Sequence, residues 1–158
     1  MLNPDVRRVL DGTSLGHLAT VLPDGSPHTT PVFVGTHDDQ LIFFTGPRSR
    51  KARNLRRDPR VALSLAPADN PFQPVIIRGR VTEWLEGDTA WDIIDQIAMK
   101  YTGQPYTRDK ERIVAVVEPD QDVCARLSGE TADRFFELTR WDLAGTAAAV
   151  REIGRAHV

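Results

Sequence analysis

The chain has 158 residues, of which 41% are hydrophobic and 27% charged, values that are ordinary for a single soluble globular domain. Its formal net charge of −2 argues against a nucleic-acid-binding domain, which is usually strongly basic. The sequence has no signal-peptide core, no apolar run near the roughly 18 residues of a membrane span, and no cysteine besides Cys124. We therefore expect a cytoplasmic protein without disulfides or a membrane partner.

The first part of the chain is predicted to form a short helix followed by three strands. Asn3 and Pro4 suit the N-cap and first turn of this helix, and Gly12 suits its end. Strands are predicted over residues 15–22, which are apolar on both faces and therefore buried, 27–35 and 41–44, with turns at 23–26 and 37–40. Pro27 and Pro31 remove amide donors, so the second strand is either an edge strand or a place where the backbone meets a ligand.

The basic segment at residues 45–60 is the most distinctive feature of the sequence. It carries seven of the twenty lysines and arginines and only one acid, and it lies between two apolar, strand-like runs. Ser49 is a suitable helix N-cap and Pro59 stops the helix, which predicts a tight turn followed by a short basic helix. The free amides at such a helix start suit a phosphate, although a solvated basic helix face is an equally good interpretation of the charge run alone.

The rest of the chain is predicted to add strands and a longer helix. Strands are expected at 61–66 and 75–83, a helix at 87–103 that Asp88 or Thr89 caps, and a strand at 112–117 that resumes at 123–127 after a turn at Pro119. This order of elements indicates a small antiparallel barrel with helical covers. We assign residues 1–128 to one domain and residues 129–158 to a helical tail that packs on the barrel or on a partner.

No side chain is marked as a catalytic residue by a motif. The sequence lacks a Gly-x-Ser-x-Gly elbow and a phosphate-binding Gly-x-x-x-x-Gly-Lys-Ser/Thr loop. The four histidines form no pair at metal-ligand spacing with a nearby cysteine or carboxylate, so no metal site is expected. An enzyme of this kind would rely on a cofactor for its chemistry.

Several motifs together resemble one known family. They are Leu-Gly-His-Leu-Ala-Thr at 15–20, Asp-Gly-Ser-Pro at 24–27, Thr-Pro-Val at 30–32, Phe-Thr at 44–45, Ser-Arg-Lys-Ala-Arg-Asn-Leu at 49–55 and Asp-Pro-Arg-Val at 58–61. Over about residues 5 to 118 the chain resembles the pyridoxamine 5'-phosphate oxidase-like split-barrel family of flavin and deazaflavin oxidoreductases. The stretch 100–106, Lys-Tyr-Thr-Gly-Gln-Pro-Tyr, is similar to its actinobacterial deazaflavin-dependent members.

The resemblance implies a mainly β fold, a six-stranded antiparallel split β-barrel with α-helices. It also implies a homodimer that binds FMN or coenzyme F420 in a groove at the dimer interface. Carried over by position, Ser49, Arg50 and Lys51 would hold the cofactor phosphate, with Thr45 beside it. The ring system would be lined, partly by backbone groups, by His28, Thr29, Thr30, Pro31 and Val32.

F420 is the cofactor that we prefer, with FMN as the alternative. F420 carries an oligoglutamate tail, whose carboxylates could meet surplus arginines such as Arg53 and Arg57. The implied reaction is hydride transfer to a small unsaturated organic substrate; a non-catalytic carrier or sequestering protein with the same site is the competing hypothesis. His28, Tyr101 and Tyr106 are candidate proton donors. Ile76, Trp84 and Trp91 are candidate dimer contacts.

Overall fold

The computed structural model describes residues 2–67, 71 and 73–124. In chain order its elements are α1 (Pro4–Asp11), β1 (Gly16–Val21), β2 (Pro27–Val32), β3 (Val34–His37), β4 (Gln40–Thr45), α2 (Arg50–Arg57), β5 (Arg60–Leu65), β6 (Val75–Leu85), α3 (Gly87–Thr102) and β7 (Ile113–Cys124). The predicted helical tail at 129–158 lies outside the described residues, so the proposed domain boundary stays a prediction. No helix in the described ranges is long and apolar enough to span a bilayer.

The seven described strands form one antiparallel sheet that curls into a half-barrel. Their order is β2-β1-β5-β6-β7-β4-β3, so β2 and β3 are the two outermost strands. Because only Phe33 separates these strands in the chain, the sheet must curl until its two edges meet there. This confirms the predicted mainly β split barrel. The described strands number seven instead of six because the single strand predicted at 27–35 breaks at Phe33, where the chain leaves β1 and begins to pair with β4.

Alternation along the strands places the main core inside the curled sheet. Leu18 of β1, Leu63 of β5 and Ile77 of β6 are fully buried there, and α1 adds Val6 and Leu10. The prediction that β1 is buried on both faces was wrong. Its residues alternate between buried and partly or fully exposed positions, because one face meets the core and the other is the outer face of the sheet.

Helix α3 covers a second, smaller core on the outside of the sheet. Buried Ile94 and Ile97 pack with Ile42 of β4 and with Val114 and Val116 of β7. The helix begins at Gly87 as predicted, but neither Asp88 nor Thr89 caps it: Glu86 is the N-cap residue, and its side chain makes no capping hydrogen bond. The helix ends as predicted at Gly103, whose φ of 71° is the left-handed conformation that glycine favours.

The break predicted in the last strand at Pro119 is absent. Strand β7 runs on to Cys124, and the register against β6 shifts by one residue between Arg78 and Gly79, which is a β-bulge beside the proline. Gly79 is required opposite this point, because a Cβ there would lie 2.2 Å from the carbonyl oxygen of Glu118. The bulge and the glycine together allow a proline inside a strand that is paired on one side with β6.

Candidate functional site

A cleft of about 730 Å³ lies where β4 leads into α2. Its volume is within the range of roughly 300–1,000 Å³ that is typical of small-molecule and cofactor sites. The β2–β3 junction forms one side of it, and the loop before β7 forms another. The lining residues are Leu15, Pro31, Val32, Phe33, Phe44, Thr45, Gly46, Pro47, Arg48, Ser49, Lys51, Tyr106, Lys110, Glu111 and Arg112.

Local hydrogen bonds explain why the chain turns from β4 into α2 at this cleft. The amide of Ser49 donates to the carbonyl of Gly46 at 3.0 Å, and the Ser49 hydroxyl accepts from the amide of Ala52 at 3.2 Å. The predicted N-cap is therefore confirmed. The hydroxyl oxygens of Thr45 and Ser49 lie 2.9 Å apart, so two hydroxyl groups and a helix start share one wall of the cleft.

The helix is also anchored from behind. Asn54 is buried, and its side-chain amide donates to the Thr20 hydroxyl of β1 at 3.0 Å. Leu55 and Ala52 are buried on the same side of α2, so the start of the helix is held rigidly against the barrel.

The charged side chains that line the cleft are mostly cationic. Four of them are basic, Arg48, Lys51, Lys110 and Arg112, and one, Glu111, is acidic. None of the four cations forms an ion pair with a carboxylate in the described part of the chain. Lys51 and Arg112 line the same cleft, and the pKa of Lys51 is lowered by burial and further by the charge of Arg112. An anion placed between them would relieve the repulsion.

Aromatic rings form a different wall of the same cleft. The rings of Phe44 and Tyr106 meet edge to face with centroids 4.9 Å apart, and those of Phe33 and Phe44 meet at 6.1 Å. Such a wall suits a flat conjugated ring. A cleft with a cationic, hydroxyl-rich region and an aromatic wall can therefore accommodate a planar ligand that carries a phosphate or a comparable anion.

Five of the eleven cofactor residues predicted from the sequence line the cleft: Pro31, Val32, Thr45, Ser49 and Lys51. The remaining six do not line it. His28, Thr29 and Thr30 lie earlier on β2, and Arg50, Arg53 and Arg57 lie exposed or partly exposed along α2. The Nδ1 atom of His28 is buried and has no hydrogen-bond partner in the described ranges.

The outer arginines of α2 curl back onto the backbone. Arg53 donates to the carbonyl of Arg48 at 2.5 Å, Arg56 donates to that of Pro47 at 2.7 Å, and Arg57 donates to that of Val21. Arg56 also lies 5.4 Å from the centre of the Trp84 ring. These side chains therefore brace the turn at 46–49 and the end of β1.

Arg112 is the important residue that sequence reasoning missed. It directly precedes β7, and the register pairs Ile113 with Thr45, which brings Arg112 next to the turn at Gly46. Its Nη1 atom lies 3.8 Å from the position that a Cβ on Gly46 would take. Only the β4–β7 pairing reveals this neighbourhood, and no local motif marks it. Among the described residues, no group of three His, Cys, Asp or Glu side chains is placed to hold a metal ion.

The two candidate tyrosines differ in how their hydroxyl groups are used. The Tyr101 hydroxyl donates to the carbonyl of Ser14 at 2.8 Å and accepts from the amide of Val34 at 3.3 Å, so its proton is already engaged. This argues against Tyr101 as a proton donor. Tyr106 lines the cleft, and its hydroxyl accepts a hydrogen bond from Arg112 Nη2 at 3.2 Å.

Comparison with known proteins agrees with this geometry. Residues 2–121 match the family described as "Pyridoxamine 5'-phosphate oxidase". The chain belongs to the pyridoxamine 5'-phosphate oxidase family. The resemblance found from the sequence motifs is therefore confirmed, and it extends across nearly the whole described part of the chain.

Solved members of this fold include proteins of known and unknown activity. An F420 reductase is 28% identical, and the alignment covers 75% of this chain and 96% of that one with a TM-score of 0.67. The conserved hypothetical protein Rv2991 of Mycobacterium tuberculosis is also 28% identical, with 77% and 82% of the two chains covered and a TM-score of 0.64.

A pyridoxine/pyridoxamine 5'-phosphate oxidase of Bacteroides thetaiotaomicron is 44% identical over 48 residues, which span 30% of this chain and 22% of that enzyme.

Proposed function

We propose that this member of the pyridoxamine 5'-phosphate oxidase family binds coenzyme F420 in the cleft and transfers hydride to a small unsaturated organic substrate. One observation carries the proposal: Lys51 and Arg112, which form no ion pair among the described residues, share a cleft with an aromatic wall. The 28% identity to an F420 reductase over 96% of that chain favours F420 over the alternative, FMN.

The residues present fit a cofactor of this chemistry. The hydroxyls of Thr45 and Ser49, the start of α2, Lys51 and Arg112 would hold the phosphate. When bound, the deazaflavin would supply the hydride. The protein would orient the ring against the aromatic wall and against Pro31 and Val32 of β2, and it would exclude water from the reacting face.

Two alternatives use the same site. An FMN-dependent oxidoreductase needs the phosphate clamp and the aromatic wall but has no use for arginines beyond the phosphate. A carrier or sequestering protein binds the cofactor without turnover. The oxidase activity of the Bacteroides relative is not carried over, because the match spans only 22% of that enzyme.

We further propose that the chain works as a cytoplasmic homodimer with the cleft near the interface. Ile76, on the outer face of β6, is 46% exposed, which suits a subunit contact. Trp84 and Trp91 are partly buried within the chain, each against an arginine, and they would contribute less new buried area.

The decisive experiment is a pair of titrations, with F420 and with FMN, that are monitored by absorption spectroscopy. Turnover assays come after them. Tight F420 binding, together with oxidation of reduced F420 by a panel of conjugated enones, supports the proposal. Preference for FMN supports the first alternative, and F420 binding without turnover supports the carrier. Binding of neither cofactor refutes the proposed function.

A further inference from the structure

The loop between α3 and β7, residues 103–112, is tied to α3 by one ion pair. Arg108 and Asp95 form a bidentate contact, with Nη1 to Oδ1 at 3.0 Å and Nη2 to Oδ2 at 2.7 Å. The guanidinium also lies 4.3 Å from the centre of the Trp91 ring. Trp91 precedes Asp95 by four residues, so both lie on one face of α3 and the arginine is held by two groups at once.

This pair grips the backbone of Tyr106 from both sides. The amide of Tyr106 donates to Asp95 Oδ1 at 3.0 Å, and Arg108 Nη1 donates to the carbonyl of Tyr106 at 3.2 Å. The hydrogen bond from Arg108 favours the charged carboxylate and holds the pKa of Asp95 below its ordinary value. Exposed ion pairs usually stabilise a fold very little, so the value of this pair lies in the position that it imposes.

Tyr106 in turn places Arg112. The Tyr106 hydroxyl accepts from Arg112 Nη2 at 3.2 Å, and the guanidinium lies 5.3 Å from the centre of the same ring. A further hydrogen bond, from Nη1 to the carbonyl of Glu111 at 3.1 Å, completes the support. The contacts therefore run without interruption from Asp95 through Arg108 and Tyr106 to the cation of the cleft.

We propose that Asp95 and Arg108 are positioning residues, which hold the loop so that Tyr106 keeps Arg112 beside Lys51 and the two cations form one anion clamp. The inference rests on the proposed function only for the identity of the anion, the cofactor phosphate. Its test needs no cofactor, because Lys51 and Arg112 line the same cleft without one, and the charge of Arg112 lowers the pKa of Lys51.

The test is a double-mutant cycle in which the pKa of Lys51 is measured. The full-length protein is acetylated at a series of pH values, and mass spectrometry reports the extent of acetylation at Lys51. We expect Arg112→Ala to raise the pKa of Lys51, since a nearby positive charge is removed. We expect Arg108→Ala to raise it as well, and to have no further effect when Arg112 is already alanine.

The control is Arg60→Ala, which removes an equally bidentate pair, Arg60 with Asp58, outside the cleft. It should leave the pKa of Lys51 at the wild-type value. Arg108→Lys, which keeps the charge but loses the bidentate geometry, should resemble Arg108→Ala, and it serves if the alanine variant does not fold. For the cofactor, Arg108→Ala should weaken binding on the order of 3- to 10-fold, and this loss should also vanish in the Arg112→Ala background.

Three results would overturn the inference. They are an unchanged pKa of Lys51 in Arg112→Ala, an unchanged pKa in Arg108→Ala and Arg108→Lys, or an effect of Arg108→Ala that persists without Arg112. If the wild-type protein binds neither F420 nor FMN, the proposed function fails, yet the cycle on Lys51 still decides the positioning role.

Discussion

The rings of Phe33 and Tyr101 are stacked, with centroids 4.3 Å apart and planes inclined by 11°. Phe33 is the residue at which the two edges of the curled sheet meet, and it lines the cleft. Tyr101 comes from the last turn of α3, and its hydroxyl is bonded to Ser14 and Val34 on either side of this junction. The helix therefore holds the sheet closed at the point where the cleft begins.

Tyr101→Phe should lower the free energy of unfolding by about 1–2 kcal/mol, because two backbone groups lose their partner while the ring stacking is kept. Urea denaturation with a constant m-value would measure this loss. Tyr106→Phe is the matched control, since its hydroxyl bonds a partly exposed guanidinium. It should change stability less and cofactor affinity more. Equal stability losses in the two variants would contradict the structural role of Tyr101.

Lys100 should make the free energy of unfolding depend on pH in the alkaline range. Burial lowers its pKa from 10.5 to about 8, and Asp11 opposes this only in part. Between these two values the unfolded chain binds more protons than the folded one, so the Lys100 contribution to stability rises with pH from about 8 to 10.5. This contribution is lost again as the pH falls from 10.5 through about 8. Tyr101, whose pKa is raised by burial, stays neutral in most of this range.

The measurement is the free energy of unfolding of wild type and Lys100→Met across this range. The wild type should gain on the variant as pH rises through the window. Below the window, Lys100→Met loses the two hydrogen bonds from Nζ to the carbonyls of Leu10 and Val34, at 2.6 and 2.7 Å. The same substitution removes a buried charge, which offsets part of that loss. A constant difference between the two proteins at every pH would show that Lys100 titrates normally.

Lys51→Ala should weaken cofactor binding by about 1–3 kcal/mol, as expected when one charge-assisted hydrogen bond to a phosphate is lost. The fold should not suffer, because Lys51 is a partly buried cation repelled by Arg112. Lys110→Ala removes an exposed lysine from the same cleft and is the control, with a smaller, salt-sensitive effect. Dissociation constants for F420 and FMN that are unchanged by Lys51→Ala would rule out the proposed phosphate site.

The double change Arg53→Ala with Arg57→Ala tests the choice between F420 and FMN. If these side chains meet the oligoglutamate tail, F420 binding should weaken several-fold, added salt should shrink the difference, and FMN affinity should barely change. Arg56→Ala is the control on the same helix, because its guanidinium also bonds a backbone carbonyl, that of Pro47, but is held in addition against the Trp84 ring. Equal losses for both cofactors would mean that the arginines act only by bracing the turn beside the phosphate.

Sedimentation analysis should show a stable dimer at micromolar concentration. Ile76→Glu should shift it toward monomer, because a charge would replace an apolar side chain on the outer face of β6. Met99→Glu changes a similarly exposed residue, at 49%, on α3 and should leave the dimer intact. A wild-type monomer would refute the proposed homodimer, and dissociation by Met99→Glu alone would move the interface to α3.

The local half of the candidate site could be predicted from neighbouring residues alone. A helix start is built within a few residues, so Ser49 as N-cap, Pro59 as stop and the basic residues between them could be read directly, and the structure has α2 at Arg50–Arg57. The set of short motifs between residues 15 and 61 also identified the family. Both succeed because they depend only on neighbours along the chain.

The other half of the candidate site depends on contacts between segments that are distant in the chain. Arg112 reaches Gly46 because β7 pairs with β4 in one particular register, and the chain breaks at Phe33 because the sheet must close there. Strand β7 passes Pro119 only because Gly79 lies opposite. Hydrophobic periodicity shows which face of a strand is buried but not which strand lies next to it. Contacts between distant segments, and the clamp they form, therefore became visible only in the folded sheet.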